Sequence, residues 1–452
     1  MDIHLKPAPA ATAAEWKPAP AWTFAQRIGF RFCFAYFVLY IFFNPNEVFP
    51  GAGALYNWYI QPFHQFIPWI GKHLLHLSKP ITIFTNGSGD TTYDNIIYLF
   101  LAAMAVIACL LWTILDRSRQ SYRILFYWLT TLVRFYLGIT MLAYGYAKLF
   151  KMQFPYPGLF RLLEPYGDST PMGLAWTFMG YSYGYNLFTG FAEVISGVLL
   201  LFRRTTAIGA FMAFIVSANI VAMNYSFDIP VKLLSSTMIL MSLFLLGENV
   251  RRLWGLFFQN RTTRLHTVPR PRFRKKAPRI ALAVVKYLLI AYVIVGYAIS
   301  YLEARTQYGD RAPHVALYGI YNTRSFVLNG ETLAPLQTDS VRWKQLIIDG
   351  SPTMSFAGIK MMNDSMRRYR VATDSLLHLV TITDFADSAN NWKLNYLAGA
   401  DSLILWGKHF GSKHFGRKDP DSIRVTLIRY PLEKFRLNSR GFNWINEFPN
   451  NR

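Results

Sequence analysis

The sequence predicts a polytopic α-helical membrane protein of about seven spans, followed by a C-terminal soluble all-β barrel or sandwich domain. Three observations carry this. Of the 452 residues, 52% are hydrophobic and only 16% charged, where a soluble domain usually carries about 25% charged residues. The long apolar runs all fall between residues 23 and 301. Residues 302–452 break instead into short β-prone runs with turn signals between them. A wholly soluble enzyme is excluded. With 2 Cys and 17% aromatic residues, so are a disulfide scaffold and a disordered chain.

Residues 1–22 are Pro/Ala-rich and read as a disordered cytoplasmic tail. They lack the apolar core of a signal peptide, so the first hydrophobic run is expected to be a retained span. A bilayer core needs about 20 mostly apolar residues per helix. That length places spans near 24–43, 96–115, 124–147, 186–202, 205–225, 231–248 and 280–301. The first two, within 23–123, flank an aromatic loop, YNWYIQPFHQFIPWIGKHLLHL, expected to lie along the outer interface as a short amphipathic helix. Its His64, His73 and His76 show no metal-ligand spacing. Asn86-Gly87-Ser88 matches a glycosylation sequon.

The net charge is +22, and its distribution gives orientation. Basic turns at 116–123 and 203–204, and a basic loop at 251–279, each follow an even-numbered span. The stretch 249–279 holds ten basic residues and no acidic one. Beside apolar 20-mers this reads as a cytoplasmic loop rather than a nucleic-acid surface. The N-terminus is then cytoplasmic and residues 302–452, after a seventh span at 280–301, lie in the periplasm of a bacterial inner membrane. The β-prone runs there alternate, as in Ile423, Val425 and Leu427 against Arg424 and Thr426. About eight strands closing on themselves would remove the sheet's edges.

The informative residues are the polar ones inside the spans, because a charge at mid-bilayer costs at least about 2.5–3.5 kcal/mol and usually finds a partner. Counting at 1.5 Å per residue from the basic turns puts Arg134 and Glu193 at similar depth on consecutive antiparallel helices, so an ion pair between them is expected. Arg134, Gly138, Met141, Gly145 and Lys148 share one face of span three, and Gly190, Glu193 and Gly197 share one face of span four. Such small residues let helices approach closely in lipid. The pair reads either as a packing device or as a ligand- or proton-handling site. Tyr144, Tyr146, Lys148, Ser217, Asn224, Asp228, Lys232 and Ser235 form a second polar set towards the outer half, read either as a cavity lining or as an interfacial belt. Cys33 and Cys109 lie in spans one and two without a Cys-x-x-Cys pair, so no dithiol relay is indicated. No phosphate loop, zinc-protease motif or nucleophile elbow is present, and no metal is expected.

The runs VRFYLGITMLAYGYAKLF (133–150), FTGFAEVISGVLLLFRRTTAIGAF (188–211) and NYSFDIPVKLLSSTMILMSLFLL (224–246) resemble the DoxX-like membrane proteins. The resemblance covers about residues 124–250 and implies a four-helix membrane bundle with Arg134, Gly138, Lys148, Glu193 and Gly197 at its core. It also implies binding of a small lipophilic molecule such as a quinone or a lipid, and a place in a membrane redox or oxidative-stress complex. This chain departs from the family in its extra spans, its β domain and its lack of a cysteine pair. The other expectation is a non-catalytic scaffold in the lipid bilayer that anchors the β domain for protein partners.

Overall fold

The computed structural model describes residues 21–45, 52–83, 89–262, 264–268, 276–411 and 420–449. Residues 1–20 of the tail read at 1–22, and the sequon at 86–88, lie outside them. In chain order the helices are α1 (Phe24–Phe43), α2 (Ala52–Tyr59), α3 (Gln61–His73), α4 (Thr92–Leu115), α5 (Arg123–Leu149), α6 (Leu159–Leu162), α7 (Pro171–Tyr181), α8 (Tyr183–Leu201), α9 (Thr206–Ser226), α10 (Lys232–Leu246), α11 (Val250–Gln259), α12 (Lys276–Ala291) and α13 (Tyr297–Gln307). Among the described residues, seven helical runs are long and apolar enough to cross a membrane: α1, α4, α5, α8, α9, α10 with α11, and α12 with α13. Their outer faces leave side chains such as Leu110, Leu111, Ile114, Val285 and Leu288 exposed, as lipid contact requires.

The chain forms two compact units, one of residues 1–142 and 195–288, the other of 143–194 and 289–452. In the first, α1 and α4 begin with reciprocal capping boxes, Thr23 with Gln26 and Thr91 with Asp94. The two helices are stapled by Arg31, which is buried inside the first span. Its guanidinium donates to Tyr122 Oη (3.0 and 2.7 Å), Thr113 Oγ1 (2.9 Å) and the Asp116 carbonyl (2.7 Å). The loop between α1 and α4 contains α2 and α3, and His73 stacks on Trp69 within it. Among the described residues no group of three or more metal-ligating side chains gathers. In α10 the buried hydroxyls of Ser235, Thr237 and Ser242 donate to carbonyls one turn back, which satisfies them where water is absent.

Two boundaries differ from the sequence reading. The sixth span runs past 248 through a 3-10 turn (Gly247–Asn249) into α11, so the first part of the expected basic loop is helical. Arg251 and Arg252 stand there beside Trp254, Phe257 and Phe258, an amphipathic sequence that needs no loop to keep its arginines in water. The seventh span extends to Gln307 and contains a π-helical turn at Tyr292–Gly296.

The second unit ends in the β domain. Its strands are β1 (Gly319–Leu328), β2 (Glu331–Thr332), β3 (Trp343–Ser351), β4 (Met354–Met361), β5 (Met366–Asp374), β6 (Leu379–Asp384), β7 (Asn391–Ala398), β8 (Ser402–Phe410) and β9 (Asp421–Arg429). All neighbours are antiparallel, and β1 pairs with both β3 and β9. Eight strands therefore close an up-and-down barrel, with the two-residue β2 as an outlying hairpin arm. Ile423, Val425 and Leu427 point inward and Arg424 outward, as the alternation predicts. Leu346, Ile348, Ile359, Val380, Ile382, Leu394, Leu405 and Val425 fill the interior.

A second, smaller core lies on the barrel's outside. Leu159 of α6 packs on Ile320 and Ile347, a cross-strand pair of β1 and β3. The Asp349 carboxylate accepts from Leu159 N (3.0 Å), capping this short helix. Phe160 lies against Gly358, where a Cβ would come within 2.3 Å of its ring. Removing inner side chains should therefore cost far more than removing outer ones. Leu405→Ala, at a fully buried position, is expected to cost about 2–5 kcal/mol, whereas Leu397→Ala, 60% exposed, should stay within about 0.5 kcal/mol. Thermal unfolding of the two full-length variants compares them directly.

Candidate intramembrane polar site

The site is built where α5 meets α8. Glycines stand at two points along the line of contact, among Leu142, Leu149, Val194 and Leu200. A Cβ on Gly138 would meet the Gly197 carbonyl at 3.1 Å, and one on Gly197 would meet the Gly138 carbonyl at 2.7 Å. The pattern repeats at the other end: Gly145 faces the Gly190 carbonyl at 2.9 Å, and Gly190 faces the Gly145 carbonyl at 3.0 Å. All four glycines read as packing residues thus pack one helix on the other, at distances that only glycine allows.

That contact fixes the register. With 138 opposite 197 and 145 opposite 190, residue 134 falls opposite 201, eight residues along α8 from Glu193, or about 12 Å of rise. The expected Arg134–Glu193 pair is therefore not formed. Glu193 takes Lys148 instead, with the Nζ ammonium donating to Oε1. The cause is side-chain direction. Helical side chains lean towards their own N-terminus, so on antiparallel helices Lys148 and Glu193 lean towards each other. Arg134 leans the other way, and its nearest polar contact is Thr206 Oγ1 at 3.4 Å. Counting Cα depth from the helix ends assumes level ends and ignores this lean.

Both members of the pair are enclosed, with side chains 6% and 2% exposed for Lys148 and Glu193. Glu193 Oε2 has no hydrogen-bond partner among the described residues. The Lys148 ammonium lies 5.9 Å from the Phe154 ring centroid. Tyr144, one turn before Lys148, is within electrostatic reach of Glu193 and of Tyr301 on α13. Tyr146 donates from its hydroxyl to the Ile294 carbonyl (2.9 Å) in the π-helical turn, where the wider winding loosens the backbone ladder. Near the end of α5, Lys151 is also buried, and its ammonium donates to the Gly180 carbonyl. Asn186 at the start of α8 is fully buried, donates to the Ser182 carbonyl (3.0 Å), and has no partner for Oδ1 among the described residues.

The remaining predicted residues belong to the other unit. Asn224 donates to Ser235 Oγ (3.0 Å) and to the Val231 carbonyl (3.3 Å), closing the α9–α10 turn. Asp228 carries a left-handed φ of 50° in that turn, is exposed, and pairs with Lys232 at 2.7 Å. This hydrogen bond and the ammonium's charge hold the Asp228 carboxyl below the usual carboxylate range. The α10 N-terminus is capped from afar, the Asp90 carboxylate accepting from Lys232 N (2.7 Å) and Leu233 N (3.0 Å). These groups serve a helix turn. Ser217 is buried, and its hydroxyl has no partner among the described residues.

The sequence reading passed over Arg31, Lys151 and Asn186. Arg31 was visible as a charge inside span one, and Asn186 as an amide at the mouth of span four. Lys151 gave no signal beyond its closeness to Lys148.

A carboxylate with one oxygen held by an ammonium and the other open can accept a hydrogen bond or a proton. The nearby tyrosine can donate one. Comparison with known proteins adds a relationship without a role. A 135-residue stretch is 38% identical to a Bacillus subtilis (strain 168) protein described as "Uncharacterized protein YwoB", covering 28% of this chain and 80% of that protein. No family model matches the chain, and no solved structure matches it.

Breaking a buried pair strands a charge, typically at about 3–5 kcal/mol. Lys148→Met and Glu193→Leu should each lower yield and melting temperature in detergent, and the double variant should recover much of the loss. Arg134→Leu combined with Glu193→Leu should instead add its effect independently.

Proposed function

The chain belongs to the family of the Bacillus subtilis protein YwoB, and we propose that it is a bacterial inner-membrane protein that binds a small lipophilic molecule, a quinone or a lipid, at Lys148, Glu193 and Tyr144. The observation that carries this reading is the open Oε2 of Glu193, enclosed in a membrane span with its other oxygen on Lys148. An unpartnered carboxylate oxygen in an apolar medium is costly. A hydroxyl-bearing ligand, such as a quinol or a lipid headgroup, relieves that cost by donating to it, and a quinone carbonyl can accept from Tyr144. The DoxX-like resemblance of residues 124–250 supports the same class of ligand and a place in a membrane redox complex. The basic turns at 116–123 and 203–204 and the basic residues after 250 support a cytoplasmic N-terminus and a periplasmic barrel.

A second reading, a non-catalytic scaffold that presents the barrel to protein partners, draws on one observation. The α6 segment is seated on the barrel wall through Leu159, Phe160 and Asp349, as a mount would be.

Mass spectrometry of small molecules co-purifying with the full-length protein in mild detergent separates the two. A stoichiometric quinone or lipid, lost in a folded Glu193→Gln variant, supports the first. Recovery of protein partners alone, unchanged in that variant, supports the scaffold. Orientation is tested separately: a reporter active only in the periplasm should be on after Arg452 and off when inserted after Val268.

A further inference from the structure

The two ends of the barrel interior are packed differently. At the end where the chain arrives from the last span, Val315 joins the core and donates its N–H to the Gly350 carbonyl (3.0 Å). Tyr321, Ile348, Val380, Leu403 and Leu427 are buried in the core at that end, beside a wide open groove lined by Val315, Ser355, Phe356 and Val371. At the opposite end, formed by the finish of β1, β4 and β8 and the start of β3, β5, β7 and β9, a hollow of about 230 Å³ remains. Eight-stranded barrels are at the size where side chains either fill the interior or leave room for one small ligand, and this barrel leaves such room at the end lined by its large rings.

The walls of the hollow are flat rings. Phe326 and Trp343 lie 5.8 Å apart, Trp343 and Trp392 6.1 Å, and Tyr369 and Trp392 5.0 Å. Leu328, Val341, Met361 and Ile423 complete the apolar lining. The polar side holds Ser340, Arg367, Asn390 and His409; His409 is stacked on Trp392 at 4.2 Å, and its Nε2 donates to Asn390 Oδ1 (2.8 Å). Asp421 stands directly across from His409 in the β8–β9 ladder. It is 1% exposed, accepts from Asn329 Nδ2 through Oδ1 (2.8 Å), and has no partner for Oδ2 among the described residues.

We propose that this hollow is a binding site for a small planar molecule of one or two fused rings that carries a hydrogen-bond donor. The volume sets the size: an apolar cavity of about 150 Å³ admits benzene, so 230 Å³ suits a ring system of roughly ten non-hydrogen atoms. The rings of Trp343, Tyr369 and Trp392 select flatness through stacked and edge contacts. The second lone pair of Asn390 Oδ1, an acceptor in the lining, takes the donor. This site is separate from the intramembrane one and stands whether or not that reading holds.

The test uses the full-length protein in lipid nanodiscs and 5-fluoroindole as the probe, read by fluorine line broadening and displaced with unlabelled indole. The wild type should show one displaceable site, and the N-methylated probe should bind at least tenfold more weakly. Ile423→Phe, which fills the hollow, should remove the displaceable component without lowering the melting temperature. Met361→Phe, on another wall, does the same if Ile423→Phe fails to fold. Displaceable binding that survives both substitutions overturns the site. So does its absence from the wild type up to the probe's solubility. Equal binding of the N-methylated probe overturns the donor requirement.

Discussion

The closeness of α5 to α8 is the constraint on which the helical part depends. Four glycines let the two backbones come within reach of each other's carbonyls, and the register follows from that contact. Once the register is set, the charges have no choice of partner. Lys148 and Glu193 lean towards each other and are sealed from water, while Arg134 is carried towards Thr206. A larger residue at 145 or 190 would move the backbone and separate the pair, so packing and electrostatics here form a single device. In lipid this coupling is strict, because no solvent steps in to satisfy a displaced charge.

The fold class was legible because it rests on long, redundant patterns. Seven apolar runs survive an error of several residues in any boundary, and the period of two in residues such as Ile423, Val425 and Leu427 survives any error that keeps parity. The packing stripes were legible for the same reason, since Gly138, Gly145, Gly190 and Gly197 fall on their faces by simple rotation. The pairing of charges was not legible. It depends on the offset between two helices and on the tilt of side chains, and neither leaves a mark in one chain read alone. Asp90 makes the same point, since nothing near it indicates that its carboxylate caps a helix that starts more than 140 residues later.

The barrel shows a related limit. Alternation tells which side chains turn inward but not whether their volumes close the interior. Leucine, isoleucine and valine are buried in the core at one end, whereas the large rings of Trp343, Tyr369 and Trp392 brace against one another and leave a gap between them. Arg31 is the converse case: an evident charge whose network with Tyr122, Thr113 and Asp116 depends on residues more than 80 positions away.

The seat of α6 on the barrel wall has a consequence for how this protein can be divided. In sequence, the β module begins after the last span. In space, its outer seam at Ile320 and Ile347 is roofed by Leu159, and the missing side chain at Gly358 is replaced by Phe160, both contributed by a loop between α5 and α8. A barrel cut at the apparent linker would leave that seam bare and sticky. Genetic exchange of the barrel alone would carry the same defect. The two modules can therefore be shuffled only together with the 150–165 loop, which ties the heredity of the barrel to that of the helices it follows.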